Sequence, residues 1–186
     1  SILANSCRLL IPVFLTVCIF SSQIIKLLFG DAWLQSAPYL SILFIAGIFL
    51  LFESLYRNFV KSLGEVGLLF KYTLYKRLFT ILLIVILALV QSDLILYGYC
   101  FGAAAGLMIN IVLYSKVIKT TFIRELKSLI NYSLPALVSA LIIYVICLFT
   151  TKPLFCYIAA IVMWGIYFGV YLKGVDYVLK LRNKLK

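Results

Sequence analysis

Six apolar segments alternate with short polar breaks along the chain. A helix that crosses a bilayer needs about 20 mostly apolar residues. By this length criterion, the pattern predicts transmembrane helices at 9–29, 39–59, 78–90 with flanking residues, 94–115, 129–149 and 154–172. The breaks between them carry glycine, proline or charge, at 30–31, 64–67, 91–93, 116–127 and 150–153. The predicted fold is therefore all-α, a polytopic bundle of about six transmembrane helices.

The positions of the basic residues predict which way the helices run. With the first residue placed inside the cell, all of the 17 lysines and arginines fall in inner segments except Lys26 and Lys152. Cytoplasmic loops carry this excess of cations in membrane proteins. The pattern thus predicts that both termini are cytoplasmic.

Composition supports a lipid environment and weighs against several function classes. The chain of 186 residues is 65% hydrophobic and 12% charged, with a net charge of +11. Soluble domains are near half apolar and a quarter charged. Because the cations are dispersed among apolar spans and form no single soluble face, a nucleic-acid partner is not expected.

No residue set typical of catalysis or cofactor binding is present. The sequence contains no histidine, which removes the commonest general base and metal ligand. Its five cysteines form no CxxC pair and lie in or beside apolar spans, as small hydrophobic residues do. We therefore predict neither an enzyme, nor a metal site, nor a cofactor.

A glycine repeat marks the fourth span. Gly98, Gly102 and Gly106 recur every four residues, and Asn110 and Tyr114 continue the same stripe. Small residues at this spacing let a neighbouring helix approach closely. The stripe predicts an intimate helix crossing, with a seam that slides during transport as the alternative. The sixth span repeats the pattern weakly at Gly165 and Gly169.

Charged residues inside the second span are the candidate functional residues. Glu53 and Arg57 are four apart in the order that favours an ion pair on one helix, and Lys61 extends the stripe. Ionisable groups at membrane depth are expensive and therefore suggest function. Either the pair only fixes the depth of the helix, or Arg57 and Lys61 meet an anionic head group in a cavity while Glu53 orients Arg57.

Two prolines fall inside the first and fifth spans. Pro12 and Pro135 each remove a backbone hydrogen bond. Both positions lie within the first turn or two of their predicted helices, where proline is ordinary. A hinge is the alternative, because transporters use such interruptions.

Residues 24–64 resemble one family. This stretch is similar to the outer loop and following helix of bacterial polysaccharide and O-antigen flippases of the Wzx/WzxC type, in the multidrug/oligosaccharidyl-lipid/polysaccharide exporter superfamily. The residues that carry the resemblance are Phe29, Gly30, Trp33, Pro38, Leu40, Ile42, Leu43, Gly47, Asn58, Leu63 and Gly64.

The resemblance implies a transporter of two lobes in the bacterial inner membrane, of which this chain is the C-terminal portion. Residues 1–128 would be the last four helices of one lobe, and 129–186 a C-terminal helix pair with a basic cytoplasmic tail. The missing N-terminal lobe and membrane lipids would be its partners. The chain begins without methionine, and we expect it to be part of a longer protein.

The activity implied is flipping of an undecaprenyl-diphosphate-linked oligosaccharide by alternating access. The diphosphate would be bound by Arg57 and Lys61, with Glu53 and Asn58 beside them. Two alternatives stay open: a drug or metabolite exporter of the same superfamily, and a membrane-embedded glycosyltransferase or assembly subunit. The six acidic residues are scattered singly, which disfavours a glycosyltransferase.

Overall fold

The computed structural model describes residues 2–91, 94–150 and 153–184, and in this part of the chain all regular structure is helical. These described residues form seven α-helices in order: α1 Ile2–Ile19, α2 Ser21–Phe29, α3 Ala37–Ser62, α4 Val66–Val90, α5 Ile95–Ile118, α6 Phe122–Phe149 and α7 Pro153–Lys184. A six-residue 3-10 helix, Asp31–Ser36, connects α2 to α3. The predicted all-α class is confirmed.

Four of these helices are long and apolar enough to cross a membrane. They are α3 with its preceding 3-10 helix, α4, α5 and α6, and the bent pair α1–α2 would make a fifth crossing. The described apolar part of α7, Leu154–Val170, is shorter. Among the described residues, length and composition thus support a helical membrane bundle, with four or five crossings by this measure against the six predicted.

The first predicted helix, 9–29, is in fact two helices. The axis turns by 70° between Asn5–Ile19 and Ser21–Phe29. Neither proline marks that break: α1 continues through Pro12, whose carbonyl oxygen accepts a 2.7 Å hydrogen bond from Thr16 Oγ1. Pro135 likewise lies in the interior of α6. Both helices begin earlier than predicted, so the placement of these prolines in the first turns was wrong.

The third predicted helix, 78–90, is much longer in the structure. α4 begins at Val66, so that Lys71, Lys76 and Arg77 belong to the helix. Of the predicted breaks, Ser92, Asp93, Thr151 and Lys152 lie outside the described residues.

The close helix crossing predicted from the glycine stripe is confirmed. A Cβ built at Gly98 would lie 2.9 Å from Leu87 Cδ1, and one at Gly102 would lie 2.5 Å from Thr80 Cγ2. As the residue number rises on α5 it falls on α4, so the two helices are antiparallel. Gly165 and Gly169 on α7 are different, because a Cβ at either would meet no described atom within 4 Å. The weaker stripe therefore makes no such crossing within the described structure.

Helix α3 packs between α1 and α5. A Cβ at Gly47 of α3 would lie 2.6 Å from Phe14 Cε1 of α1. On the other side, the rings of Tyr56 and Tyr114 meet edge to face at 5.1 Å. Next to Tyr114, the buried residues Val60, Leu69 and Leu113 form a hydrophobic cluster.

The chain divides into two compact units, Ser1–Tyr132 and Ser133–Lys186. The first contains α1 to α5, and the second contains α7. The boundary falls inside α6, which contributes to both. The functional division predicted at residue 128 stays a prediction.

The turn after α5 contains a left-handed residue that is not glycine. Lys119 has φ 58°, and the Thr120 N–H closes the helix end with a 2.9 Å bond to the Ser115 carbonyl oxygen. An L-residue pays a steric penalty in this conformation that glycine avoids.

Lys119→Gly should therefore raise the free energy of unfolding by about 1 kcal/mol. Denaturant unfolding of the detergent-solubilised chain would measure it. Lys119→Ala is the matched control, because it removes the same charge and keeps the strain. Equal stability of the two variants would contradict the strain argument.

Candidate functional site

The centre of the candidate site is a buried carboxylate on α3. Glu53 lies well inside this 26-residue helix, and its side chain is only 4% exposed. A buried charge is costly unless an opposite charge and hydrogen bonds compensate it. Glu53 must therefore be balanced by cations at the same depth.

Two cations from different helices provide that balance. Lys76 Nζ of α4 donates a hydrogen bond to Glu53 Oε2. Arg57 Nη1, one turn along α3, lies 3.9 Å from Glu53 Oε1. Each carboxylate oxygen thus faces its own cation. The Lys76 side chain is 15% exposed and that of Arg57 is 40% exposed.

A glycine of α5 provides the room for this ion pair. A Cβ at Gly106 would lie 2.5 Å from Lys76 Cε and 2.7 Å from Glu53 Oε2. The carbonyl oxygen of Gly106 accepts a 2.9 Å hydrogen bond from Asn110 Nδ2. Three helices therefore meet at the pair: α3 provides the acid, α4 the base and α5 the space.

A cavity of about 320 Å³ opens beside these charges. Its lining residues are Leu50, Glu53, Arg57, Lys76, Arg77, Thr80, Ile81 and Tyr99. The lining holds three cations and one carboxylate, so its formal charge is +2. Thr80 and Tyr99 add two hydroxyl groups. Such a lining is suited to a small anionic group with several acceptor oxygens.

The structure brings together half of the predicted site residues. Glu53 and Arg57 line the cavity. Asn58 and Lys61 do not line it, and their side chains are exposed elsewhere on α3. A role for those two in substrate binding stays a prediction.

Sequence reasoning missed Lys76 and Arg77 as site residues: it counted them in the basic inner segment and considered residues 72–77 only as a flank that could extend the third span. One signal was available: Tyr72, Lys76 and Thr80 are spaced by four, as polar residues on one side of a helix are. That spacing would have extended the helix back through the basic residues.

The described residues contain no group of three or more His, Cys, Asp or Glu side chains that could hold a metal ion. All five cysteines are free thiols. The charged and hydroxyl side chains that line the cavity can form ion pairs and hydrogen bonds.

Fold and cavity together define a class, namely a helical chain with helices of membrane-spanning length and a cation-rich cavity among them. No protein-family model matches the sequence, and neither curated proteins nor solved structures give a match.

Proposed function

We propose that this chain is the C-terminal portion of a flippase for lipid-linked oligosaccharides in the bacterial inner membrane. The substrate would be an undecaprenyl-diphosphate-linked repeat unit, and the rest of the transporter would complete the path. The observation that carries the proposal is the +2 lining of the cavity within helices of membrane-spanning length. The resemblance of residues 24–64 to the flippase family supports it.

In this proposal every α-helix except α2 crosses the membrane, and both termini are cytoplasmic. The turns α3–α4 and α5–α6 then face the cytoplasm. Lys61, Lys71, Lys116, Lys119 and Arg124 lie at or near those turns. This distribution agrees with the excess of cations in cytoplasmic loops.

The cavity would receive the diphosphate. Arg57 and Arg77 carry planar guanidinium groups that can bind two phosphate oxygens at once. Lys76 is held by Glu53 in the structure, and we propose that the diphosphate replaces Glu53 as its partner when the substrate enters. Glu53 would stay beside Arg57 while the substrate is bound. Its carboxylate would then pair with Lys76 again after the anion leaves.

Alanine at Arg57, Lys76 or Arg77 in the full-length transporter should reduce surface glycan at least about tenfold, since each charge-assisted hydrogen bond contributes about 1.5–3 kcal/mol. Lipid-linked precursor should accumulate on the cytoplasmic leaflet. The measurements are surface glycan, precursor level and protein level in the same cells. Arg57→Lys should retain part of the activity, because it keeps the charge.

Lys71→Ala is the matched control, because Lys71 is an exposed lysine of α4 outside the cavity lining. Its surface glycan should equal that of the unmodified protein. A variant that carries Arg57→Ala, Lys76→Ala and Arg77→Ala together gives the decisive result: normal surface glycan at normal protein level would exclude the cavity as the substrate site.

A further inference from the structure

The segment made of α2 and the following 3-10 helix, residues 21–36, is neither a continuation of the first span nor a water-exposed loop. It turns away from α1 by 70° at Phe20, which is itself buried. One side is fixed to the bundle: Ser21 and Ile25 are buried, and Ser41 Oγ of α3 donates a 2.9 Å hydrogen bond to Ser21 Oγ. The direction of the segment is thus set by packing.

The outward part of the segment mixes large apolar and charged side chains. Leu27 is 85% exposed, and Leu28, Phe29 and Trp33 are each more than half exposed. The rings of Phe29 and Trp33 lie 6.3 Å apart. Among these residues Lys26 Nζ and Asp31 Oδ1 form a 2.8 Å ion pair with both side chains largely exposed.

Neither water nor hydrocarbon suits this combination. Water would leave the four apolar side chains unburied, and the hydrocarbon core would accept the exposed ion pair only at high cost. The head-group region of a bilayer accommodates both, and aromatic residues are enriched there.

The lengths of the helices agree with that placement. α1 has 18 residues, about 27 Å at 1.5 Å per residue, close to the ~30 Å thickness of the hydrocarbon core. α2 adds nine residues, about 13 Å, of which a 70° turn leaves only about 5 Å along the direction of α1. α1 therefore provides most of the rise of this bent pair across the membrane, and α2 runs mainly across that direction.

We propose that residues 21–36 form an interfacial segment that lies in the head-group layer of one leaflet. Leu27, Leu28, Phe29 and Trp33 reach the boundary of the acyl chains, while Lys26 and Asp31 stay among the head groups. The exposed apolar residues Tyr39 and Leu43 of α3 continue the same lipid-facing surface toward the membrane interior. The occupant of this surface is thus lipid, in the outer leaflet if the topology proposed above holds.

This inference depends on the chain crossing a membrane and is independent of what is transported. Its physical consequence is that the segment fixes the depth of the α1–α3 connection. The glycine at its centre is required by the backbone, since Gly30 has φ 84°.

Trp33 provides a direct test, because the chain has only two tryptophans. Trp164→Phe leaves Trp33 as the single tryptophan. The variant would be reconstituted in phosphatidylcholine vesicles whose lipids carry bromine atoms either near the head group or near the chain ends. Quenching by the shallow bromines should exceed quenching by the deep ones by about twofold, since interfacial helices lie ~5–10 Å deep.

Water-soluble acrylamide should quench Trp33 weakly. Stronger quenching by deep bromines would instead indicate a re-entrant loop and overturn the proposal. Strong acrylamide quenching without lipid quenching would place the segment in water, and absence of both would mean that protein covers it; either result also overturns the proposal. If Trp164→Phe does not fold, the difference between the unmodified protein and Trp33→Phe gives the same quantity.

Discussion

Glu53→Ala should lower the free energy of unfolding by about 3 kcal/mol, the lower end of the range for removing one partner of a buried ion pair. The substitution leaves Lys76 with no carboxylate at a position where its side chain is only 15% exposed. The cost is at the low end because the cavity beside Lys76 can admit water. Reversible unfolding of the reconstituted chain, followed by helical circular dichroism, would measure the loss.

A double-mutant cycle measures the coupling free energy between Glu53 and Lys76 separately from the other interactions of the carboxylate. Lys76→Met should cost less than Glu53→Leu, because Arg57 remains 3.9 Å from Glu53, whereas Glu53→Leu leaves Lys76 with no carboxylate. Glu53→Leu combined with Lys76→Met should recover most of the loss, since it leaves no buried charge unpaired and Arg57 is partly exposed. If the double variant is as unstable as the sum of the single variants, the two residues are not coupled.

The parts of the fold that depend on local sequence could be predicted. The Glu53–Arg57 pair is a four-residue spacing on one helix, and the glycine stripe of α5 is likewise periodic. Three of the predicted spans, 39–59, 129–149 and 154–172, fall inside helices that the structure extends at one or both ends. The predicted span 94–115 corresponds to α5, which begins at Ile95 and ends at Ile118.

The ion pair that organises the cavity could not be predicted in this way. Its formation requires Lys76 of α4 to reach the level of Glu53 of α3, and this depends on the register of two helices against α5. The basic residues of α4 also matched the pattern of a cytoplasmic loop. The rule that cations collect in inner loops thus concealed that Lys71, Lys76 and Arg77 lie within the helix.

The break at Phe20 had only a weak local signal, the short polar run Ser21, Ser22 and Gln23 that follows it. Neither glycine nor proline marks the break, and Pro12 lies eight residues earlier within continuous helix. What favours the break is tertiary: α2 packs Ser21 against Ser41 of α3 and carries its own ion pair at the far end. Such contacts are absent from any pattern of hydrophobic positions.

Gly102→Ala should lower the free energy of unfolding by about 1–3 kcal/mol, as overpacking of a tight contact does. The new Cβ would lie 2.5 Å from Cγ2, 2.9 Å from Oγ1 and 3.1 Å from Cβ of Thr80. Thr80 is branched at Cβ, and its Oγ1 already donates a 2.9 Å hydrogen bond to the Lys76 carbonyl oxygen. A rotation of the side chain therefore cannot relieve the clash, and α4 and α5 must move apart.

Gly98 should be less sensitive than Gly102, because the nearest atom to a Cβ there is Leu87 Cδ1, the end of a flexible side chain that can move. Gly106 is a separate case, because a Cβ there would meet the buried pair of Lys76 and Glu53. Gly67→Ala on α4 is the matched control, because a Cβ there meets nothing within 4 Å, and it should leave stability unchanged or slightly higher. Adding Thr80→Ala to Gly102→Ala should restore much of the loss, since it removes the two closest atoms. If Gly102→Ala and Gly67→Ala unfold alike in denaturant, the helices are not in the close contact on which the placement of Lys76 beside Glu53 depends.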